Sequence, residues 1–510
     1  MDIKAIRHLF QEYRYEAAII AANIILLALL LPLGAMGYDD WGYLTSPKTS
    51  HIIGYTRLFD SLFHQFVKTS PWLFPWFNHI LMVCGHTISA ILFYKITSSR
   101  MEIGKQLSFV FALLFTFYTG TFSSMANTDT LNNILPLMFI ALGIYFWDRV
   151  ENVKKIVAVY VCMSILAMLS KESGVTALII IPAFALIDLY ADRNDHKHIK
   201  NCFSFICISG IIIFSSYFAI FYYTQIRPGT FSLIKETSVS SAYYLIAFLN
   251  NMLNAYTPAP NLLHIQYALL GYGATVPVWE YIFVVTTLLS GILIIITGFC
   301  ACTRKFTAAI LFLMGVIAVL PYIPRGAPSE MYAYIASWFA LMFIAYLCKY
   351  LGRRSLAVCL GLFVLTNTVS WLYKYTIAME SSSVGRQISE SFVEQLGDRE
   401  LPDEPSLLFC IINGDRRKVD WYGLPPAYYH LDGVALNAAL GWNAQISCFY
   451  LFNRDDYWSI EAFVQDAEYH YDLSDEALLQ YAQDYLKKER ELEKYDIAVI
   501  LLNDGALYVY

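Results

Sequence analysis

The sequence predicts a polytopic α-helical membrane protein carrying a small mixed α/β domain at its C-terminal end. Three observations predict it. Of 510 residues, 57% are hydrophobic and only 15% are charged, against about 25% charged in an ordinary soluble domain. Long apolar runs recur, and the first, 17–36, holds no charge over the roughly twenty residues needed to cross a ~30 Å hydrocarbon core. The charge also changes sign along the chain. From Glu380 onward there are 24 acidic and 10 basic residues, leaving 17 acidic and 25 basic for the rest. The chain therefore divides into a membrane module, 1–378, and an acidic domain, 379–510.

After the first run, apolar segments fall at 76–96, 106–122, 131–148, 156–170, 174–190, 202–224, 279–301, 306–323, 331–348 and 355–376, which makes eleven spans. Basic residues orient them. Lys4, Arg7 and Arg14 precede the first span, and Lys95, Arg100 and Lys105 follow the second. Arg149, Lys154 and Lys155 follow the fourth, and Arg193, Lys197 and Lys200 the sixth. Arg304 and Lys305 follow the eighth, and Lys349, Arg353 and Arg354 the tenth. Every even-numbered exit is basic, which predicts a cytoplasmic N-terminus in the plasma (inner) membrane and an extracytoplasmic, periplasmic tail. The first run reads as a retained anchor, because no small-residue cleavage site follows it.

The segment 37–75 is semi-apolar, with Phe59, Phe63, Phe66, Trp72, Phe74 and Trp76 in or beside it; it reads as interfacial helices. The stretch 225–278 has a similar amphipathic part at 243–253 before Pro258 and Pro260 end it. In the tail, 406–412 and 497–502 read as short strands. Asn503-Asp504-Gly505 before 506–510 is a hairpin turn. A helix is expected from Ser474 to Glu493, with Asp475 and Glu476 in its first turn and Lys487, Lys488 and Arg490 toward its end.

Eight of the ten cysteines lie in or beside apolar runs and read as packing residues. Cys410 and Cys448 lie in the tail, where an oxidising exterior would let them form one disulfide. His79 and His86 are seven apart on one helix face; the spacing suits a metal, but hydrogen-bonded packing is the simpler reading. Nucleic acid is excluded as a partner, since no basic stripe with interleaved aromatics occurs.

The candidate site gathers on the side opposite the basic loops. Tyr38-Asp39-Asp40-Trp41 sets a paired carboxylate at the membrane surface, where two like charges are costly to desolvate. Arg57, Asp129, Lys171, Glu172, Arg325 and Glu330 fall near helix ends on that same side. Acids and bases mixed at membrane level suit a reaction between a lipid-linked phosphate and a hydroxyl. A carboxylate accepts the hydroxyl proton, and a Lys or Arg stabilises charge growing on the departing phosphate. Each residue also has a plainer reading. Asp129 suits a helix N-cap, Lys171-Glu172 a local ion pair in a turn, and Arg325 a side chain snorkelling to headgroups.

Across about 20–345 these residues resemble a family. Tyr38-Asp39-Asp40 is similar to the first-loop acidic pair of the C-superfold membrane glycosyltransferases, in particular the protein O-mannosyltransferase-like group and its bacterial relatives. Arg57 with Leu58-Phe59, then Phe77-Asn78-His79 and Gly85-His86, resembles their stretch entering the second span. Asn127-Thr128-Asp129 resembles their site before the fourth. Leu169-Ser170-Lys171-Glu172-Ser173-Gly174, with Pro182 and Asp188, resembles their Ser-Lys-Glu turn. Ser329-Glu330-Met331-Tyr332-Ala333-Tyr334 resembles their Glu-Arg-Tyr-x-Tyr segment. Two departures stand out: no Arg accompanies Asp129, and the tail has no helical repeats.

The resemblance implies Asp39 as catalytic base, with Asp40 orienting the acceptor or binding a divalent metal, and single displacement with inversion at the sugar. It implies a polyprenyl-phosphate-linked sugar donor (undecaprenyl or dolichyl), a glycan, lipid or protein acceptor, and binding roles for Arg57, Asp129, Lys171, Glu172, Arg325 and Glu330. Two other classes stay open: a polysaccharide ligase or polymerase leaning on Arg227 or Arg325, and a transporter or flippase, which would place charges at mid-span.

Overall fold

The computed structural model describes residues 12–34, 57–59, 62, 63, 66, 73, 75–128, 130–147, 149–150, 152–190, 196–223, 241–258, 285, 289, 296, 305–325, 330–411, 445–450, 475–488, 492–501 and 507–510. The chain forms two compact units. The first comprises Met1–Pro32, Pro47–Pro260 and Val284–Leu372, the second Leu33–Ser46, Asn261–Phe283 and Tyr373–Tyr510.

The first unit is helical. Its helices are α1 (Arg14–Leu30), α2 (Trp76–Ser99), α3 (Lys105–Thr116), α4 (Thr119–Ala126), α5 (Leu131–Trp147), α6 (Val153–Ser170), α7 (Ala177–Tyr190), α8 (His196–Phe221), α9 (Ser241–Tyr256), α10 (Phe306–Val319) and α11 (Tyr334–Cys348). The long helix α12 (Arg353–Leu396) begins in this unit. Local chemistry marks several boundaries. Pro75 precedes α2, where its missing N–H costs no helical bond. Asn152 caps α6 by accepting from the Lys154 N–H at 2.9 Å.

The core is built around α11, on which Tyr334, Ile335, Trp338, Phe339 and Leu341 are at most 1% exposed. Trp338 packs edge-on against Phe93 of α2, centroids 5.8 Å apart, and its indole N–H donates to the Ser89 carbonyl at 3.1 Å. A buried indole needs such a partner. Elsewhere large apolar side chains stay exposed, among them Ile208, Ile211 and Phe218 on α8. That distribution is expected where lipid replaces water.

The number of spans differs from the eleven read from hydropathy. Among the described residues six helices are long and apolar enough to cross a membrane: Arg14–Leu33, Trp76–Ser99, Val153–Ser170, Phe306–Ile323, Met331–Cys348 and Arg353–Thr376. A seventh arises if the bent pair Lys105–Thr116 and Thr119–Ala126 counts as one. The apolar runs 131–148 and 174–190 become helices of 17 and 14 residues, each with an internal proline, Pro136 and Pro182. The run 202–224 falls in α8, whose apolar part is Ser204–Ile220. Most of 279–301 lies outside the described residues.

The run 106–122 breaks at Phe117 and Tyr118, where the chain bends by 44°. A broken helix in an apolar setting frees backbone groups that must find partners. Asn367 of α12 supplies them. Its Oδ1 accepts from the Thr119 N–H at 3.0 Å and the Thr119 hydroxyl at 2.8 Å, while its Nδ2 donates to the Phe117 carbonyl at 2.8 Å.

The second unit contains a four-stranded sheet of β1 (Ser406–Ile411), β2 (Gln445–Tyr450), β3 (Ile497–Leu501) and β4 (Leu507–Val509), with α13 (Asp475–Lys488) between β2 and β3. The order is β2-β1-β3-β4. β1 pairs parallel with both β2 and β3, and β4 runs antiparallel to β3. Leu407, Ile497, Val499, Ile500 and Leu501 are fully buried, as expected for parallel strands covered on both faces. Strands β1 and β3 and the β3–β4 pairing match the sequence expectation. Strand β2 was not anticipated, and α13 ends earlier than Glu493. The register sets Cys410 against Phe449 and Cys448 against Phe409, so the two cysteines are one position out of step.

Two polar clasps hold this sheet. At its start, the Ser406 N–H and hydroxyl both donate to the Asp496 carboxylate, at 2.8 and 2.7 Å, and the Asp496 N–H returns a bond to the Ser406 hydroxyl at 3.0 Å. These bonds to the charged form hold the Asp496 carboxyl below its ordinary range. At β4, the Gln395 side chain of α12 donates to the Leu507 carbonyl at 2.6 Å and accepts from the Val509 N–H at 3.0 Å.

Candidate functional site

The sharpest polar feature of the first unit is the turn between α6 and α7. Helix α6 stops because Lys171 is extended, and the next five residues, Glu172–Thr176, form a 3-10 turn. Gly174 permits it: a Cβ there would lie 2.0 Å from the Ala167 carbonyl oxygen. The Gly174 N–H donates to the Lys171 carbonyl at 2.9 Å, which closes the turn. Two charged side chains are thereby presented in succession at a helix end.

They diverge. Glu172 meets Arg57, whose Nε–H is shared between the two carboxylate oxygens at 2.9 and 3.2 Å. The side chains are 18% exposed for Arg57 and 27% for Glu172, so water reaches the pair only in part. Burial pushes the Glu172 carboxyl up. The Arg57 charge and hydrogen bond, helped by Lys171, more than offset it, and the carboxyl ends below its usual range. Glu172 is therefore an anion at neutral pH.

Lys171 turns the other way and is buried. Its ammonium donates to the Oδ1 atoms of Asn132, at 3.2 Å, and Asn133. Both asparagines stand in the first turn of α5 and are themselves buried. The same ammonium lies 5.9 Å from the ring centroids of Tyr322 and Tyr332. Those two rings stack face to face, 4.2 Å apart and 10° from parallel. Cation–ring attraction at such a distance is modest singly and grows as water is excluded.

The chain leading into α5 is tied down as well. The Asn78 amide donates to the Thr128 carbonyl at 3.0 Å. The Thr130 hydroxyl donates to the Asn127 carbonyl at 2.7 Å. The Ser124 hydroxyl donates to the Met331 carbonyl at 3.2 Å. Segments quoted separately from the sequence, at 78, 127–128 and 331, thus meet around one helix end.

Of the eight residues singled out by sequence, the structure brings Arg57, Lys171 and Glu172 together. Arg325 closes the turn Leu320–Arg325 and Glu330 opens the turn Glu330–Ala333. These turns carry Tyr322 and Tyr332, but the side chains of Arg325 and Glu330 are not described. Asp39, Asp40 and Asp129 lie outside the described residues. Asn132, Asn133 and Tyr322 escaped the sequence reading, and Tyr332 stood in a quoted segment without a role of its own. Two consecutive amides opening an apolar run were the available signal.

His86 plays another part. It is buried, stacks on Phe115 at 4.5 Å and shares a 2.7 Å hydrogen bond with the Tyr334 hydroxyl. This is packing in the α2–α11 contact, the simpler of the two readings. Among the described residues no group of three or more His, Cys, Asp or Glu side chains is arranged to hold a metal ion.

Compared with known proteins, the chain matches no protein-family model, and no curated protein matches it.

Proposed function

We propose that this chain is an integral-membrane glycosyltransferase. It moves a sugar from a polyprenyl-phosphate donor to a hydroxyl acceptor on the extracytoplasmic side. The observation that supports this most is the meeting of Arg57, Lys171 and Glu172 at one helix end, with a hydrogen bond bridging 115 positions of sequence. Lys171 beside stacked tyrosine faces, with Arg57 held by the neighbouring Glu172, suits a phosphate joined to a sugar. The cations take the phosphate charge, and ring faces suit the apolar face of a pyranose.

In this reading Asp39 accepts the proton of the acceptor hydroxyl. The hydroxyl oxygen attacks the anomeric carbon, the bond from that carbon to the phosphate oxygen breaks, and the polyprenyl phosphate leaves with the electron pair. The sugar carbon inverts. Arg57 and Lys171 stabilise the phosphate as its negative charge grows, while Glu172 fixes the Arg57 guanidinium. Arg325, Glu330 and Asp129 bind substrate, and Asp40 orients the acceptor.

One observation favours a transporter instead: the 44° break between α3 and α4, since broken helices line transport sites. Here Asn367 already takes the backbone groups freed at Phe117 and Thr119, so the break needs no substrate to complete it. The transferase reading therefore stands first.

The test is turnover of purified protein on a polyprenyl-phosphate sugar, with mass spectrometry of the lipids that co-purify. Asp39→Asn should lower transfer by about 10²–10⁴-fold, as loss of a general base does, with unchanged expression and melting. Full activity in both Asp39→Asn and Asp40→Asn would discard the assigned base.

A further inference from the structure

A second cationic group lies at other helix ends of the first unit, outside the residues used above. Lys305 immediately precedes α10, Lys349 follows α11, and Arg353 and Arg354 open α12. The two lysines are gathered on tyrosine faces. Lys305 Nζ is 5.1 Å from the Tyr350 ring centroid. Lys349 Nζ is 5.8 Å from that of Tyr346 and 6.0 Å from that of Tyr350. The rings are themselves linked, Tyr350 donating to the Tyr346 hydroxyl at 2.9 Å. Against these four cations stands Glu102, 3.6 Å from Lys349. The group keeps a net positive charge.

The apolar surface continuing from it has a matching shape. On α12, Arg354, Val358, Leu362, Leu365, Val369 and Leu372 follow at steps of three and four, which is one helix face. The five apolar side chains of that face are 41–62% exposed. From 358 to 372 this stripe runs about 21 Å at 1.5 Å per residue, enough to accompany an acyl chain through a leaflet of about 15 Å.

We propose that this end of the first unit holds an anionic phospholipid, its phosphate met by Lys305, Lys349, Arg353 and Arg354 and an acyl chain lying along α12. A zwitterionic choline lipid fits poorly. Its quaternary ammonium is repelled by the four cations, and the tyrosine faces that would attract it are taken by the lysines. The proposal is independent of the transferase reading.

Native mass spectrometry of delipidated full-length protein in detergent, titrated with phosphatidylglycerol or phosphatidylcholine, tests it. Phosphatidylglycerol should be retained at least about tenfold better. Lys349→Gln with Arg354→Gln should cut that retention by roughly twentyfold. Glu102→Gln, which removes the competing carboxylate, should raise it. Inorganic phosphate at matched concentration should not displace the lipid. Equal retention of the two lipids, or retention unchanged in the double variant, overturns the proposal. Displacement by free phosphate overturns it in favour of a soluble anion. Displacement by polyprenyl phosphate but not by fresh phosphatidylglycerol overturns it in favour of the lipid carrier.

Discussion

Lys171 and Lys349 carry the same ammonium into opposite circumstances. Lys171 is buried and held by the amide oxygens of Asn132 and Asn133. Lys349 rests on tyrosine rings at a helix end with its side chain 31% exposed, beside a Glu102 that is 64% exposed. Both show close polar contacts, yet the energetics differ. Breaking the bonds of a buried charge leaves groups that water cannot rescue, whereas an exposed pair exchanges protein for solvent at little cost. Contact distance alone does not rank interactions; what replaces the contact does.

The largest expected effect follows at the buried member. Lys171→Met should destabilise the protein by about 3 kcal/mol, because two asparagine acceptors lose an ionic donor. A melt of the variant in detergent checks this, and an unchanged midpoint would put Lys171 on a par with Lys349. Next comes the other buried amide device. Asn367→Leu should cost about 2 kcal/mol by stranding the Thr119 N–H and the Phe117 carbonyl; the same melt measures it.

A pH titration sharpens the comparison further. The folded Glu172 carboxyl sits below its unfolded value, so its pairing with Arg57 contributes stability that is fully present above about pH 4.3. That stability is lost only as pH falls through the lowered folded value. The melting midpoint should therefore depend on Glu172 only in acid, and Glu172→Gln should flatten that acid limb while leaving the slope near neutrality unchanged. The smallest effect belongs to the exposed member: Lys349→Gln should shift stability by no more than about 0.5 kcal/mol.

How far the sequence revealed this molecule depends on what each signal measures. Hydropathy counts apolar residues, and among the described residues it located every helix that is both long and unbroken. It overcounted where continuity fails. Pro136 and Pro182 sit in short helices, Lys171 is extended, and the Phe117–Tyr118 break divides one apolar run in two. In the tail, β1 and β3 were legible from their apolar runs. β2 was not, because 445–450 mixes Gln, Ser and Cys with aromatics and takes its strand character from pairing with β1. At the candidate site, Arg57, Lys171 and Glu172 were legible because charge beside an apolar run is conspicuous. Asn132, Asn133 and Tyr322 were not, since amides and tyrosines occur in caps and interfaces as readily as in binding sites, and Tyr332 was visible only as part of the 329–334 segment.

The Gln395 amide lying along β4 has a consequence for assembly. Its two bonds imitate the ladder another strand would offer, using up the Leu507 carbonyl and the Val509 N–H. A margin so occupied cannot template a newcomer by β-augmentation. Among the described strands, growth of the sheet into a dimer or fibril is left to the opposite margin, at β2.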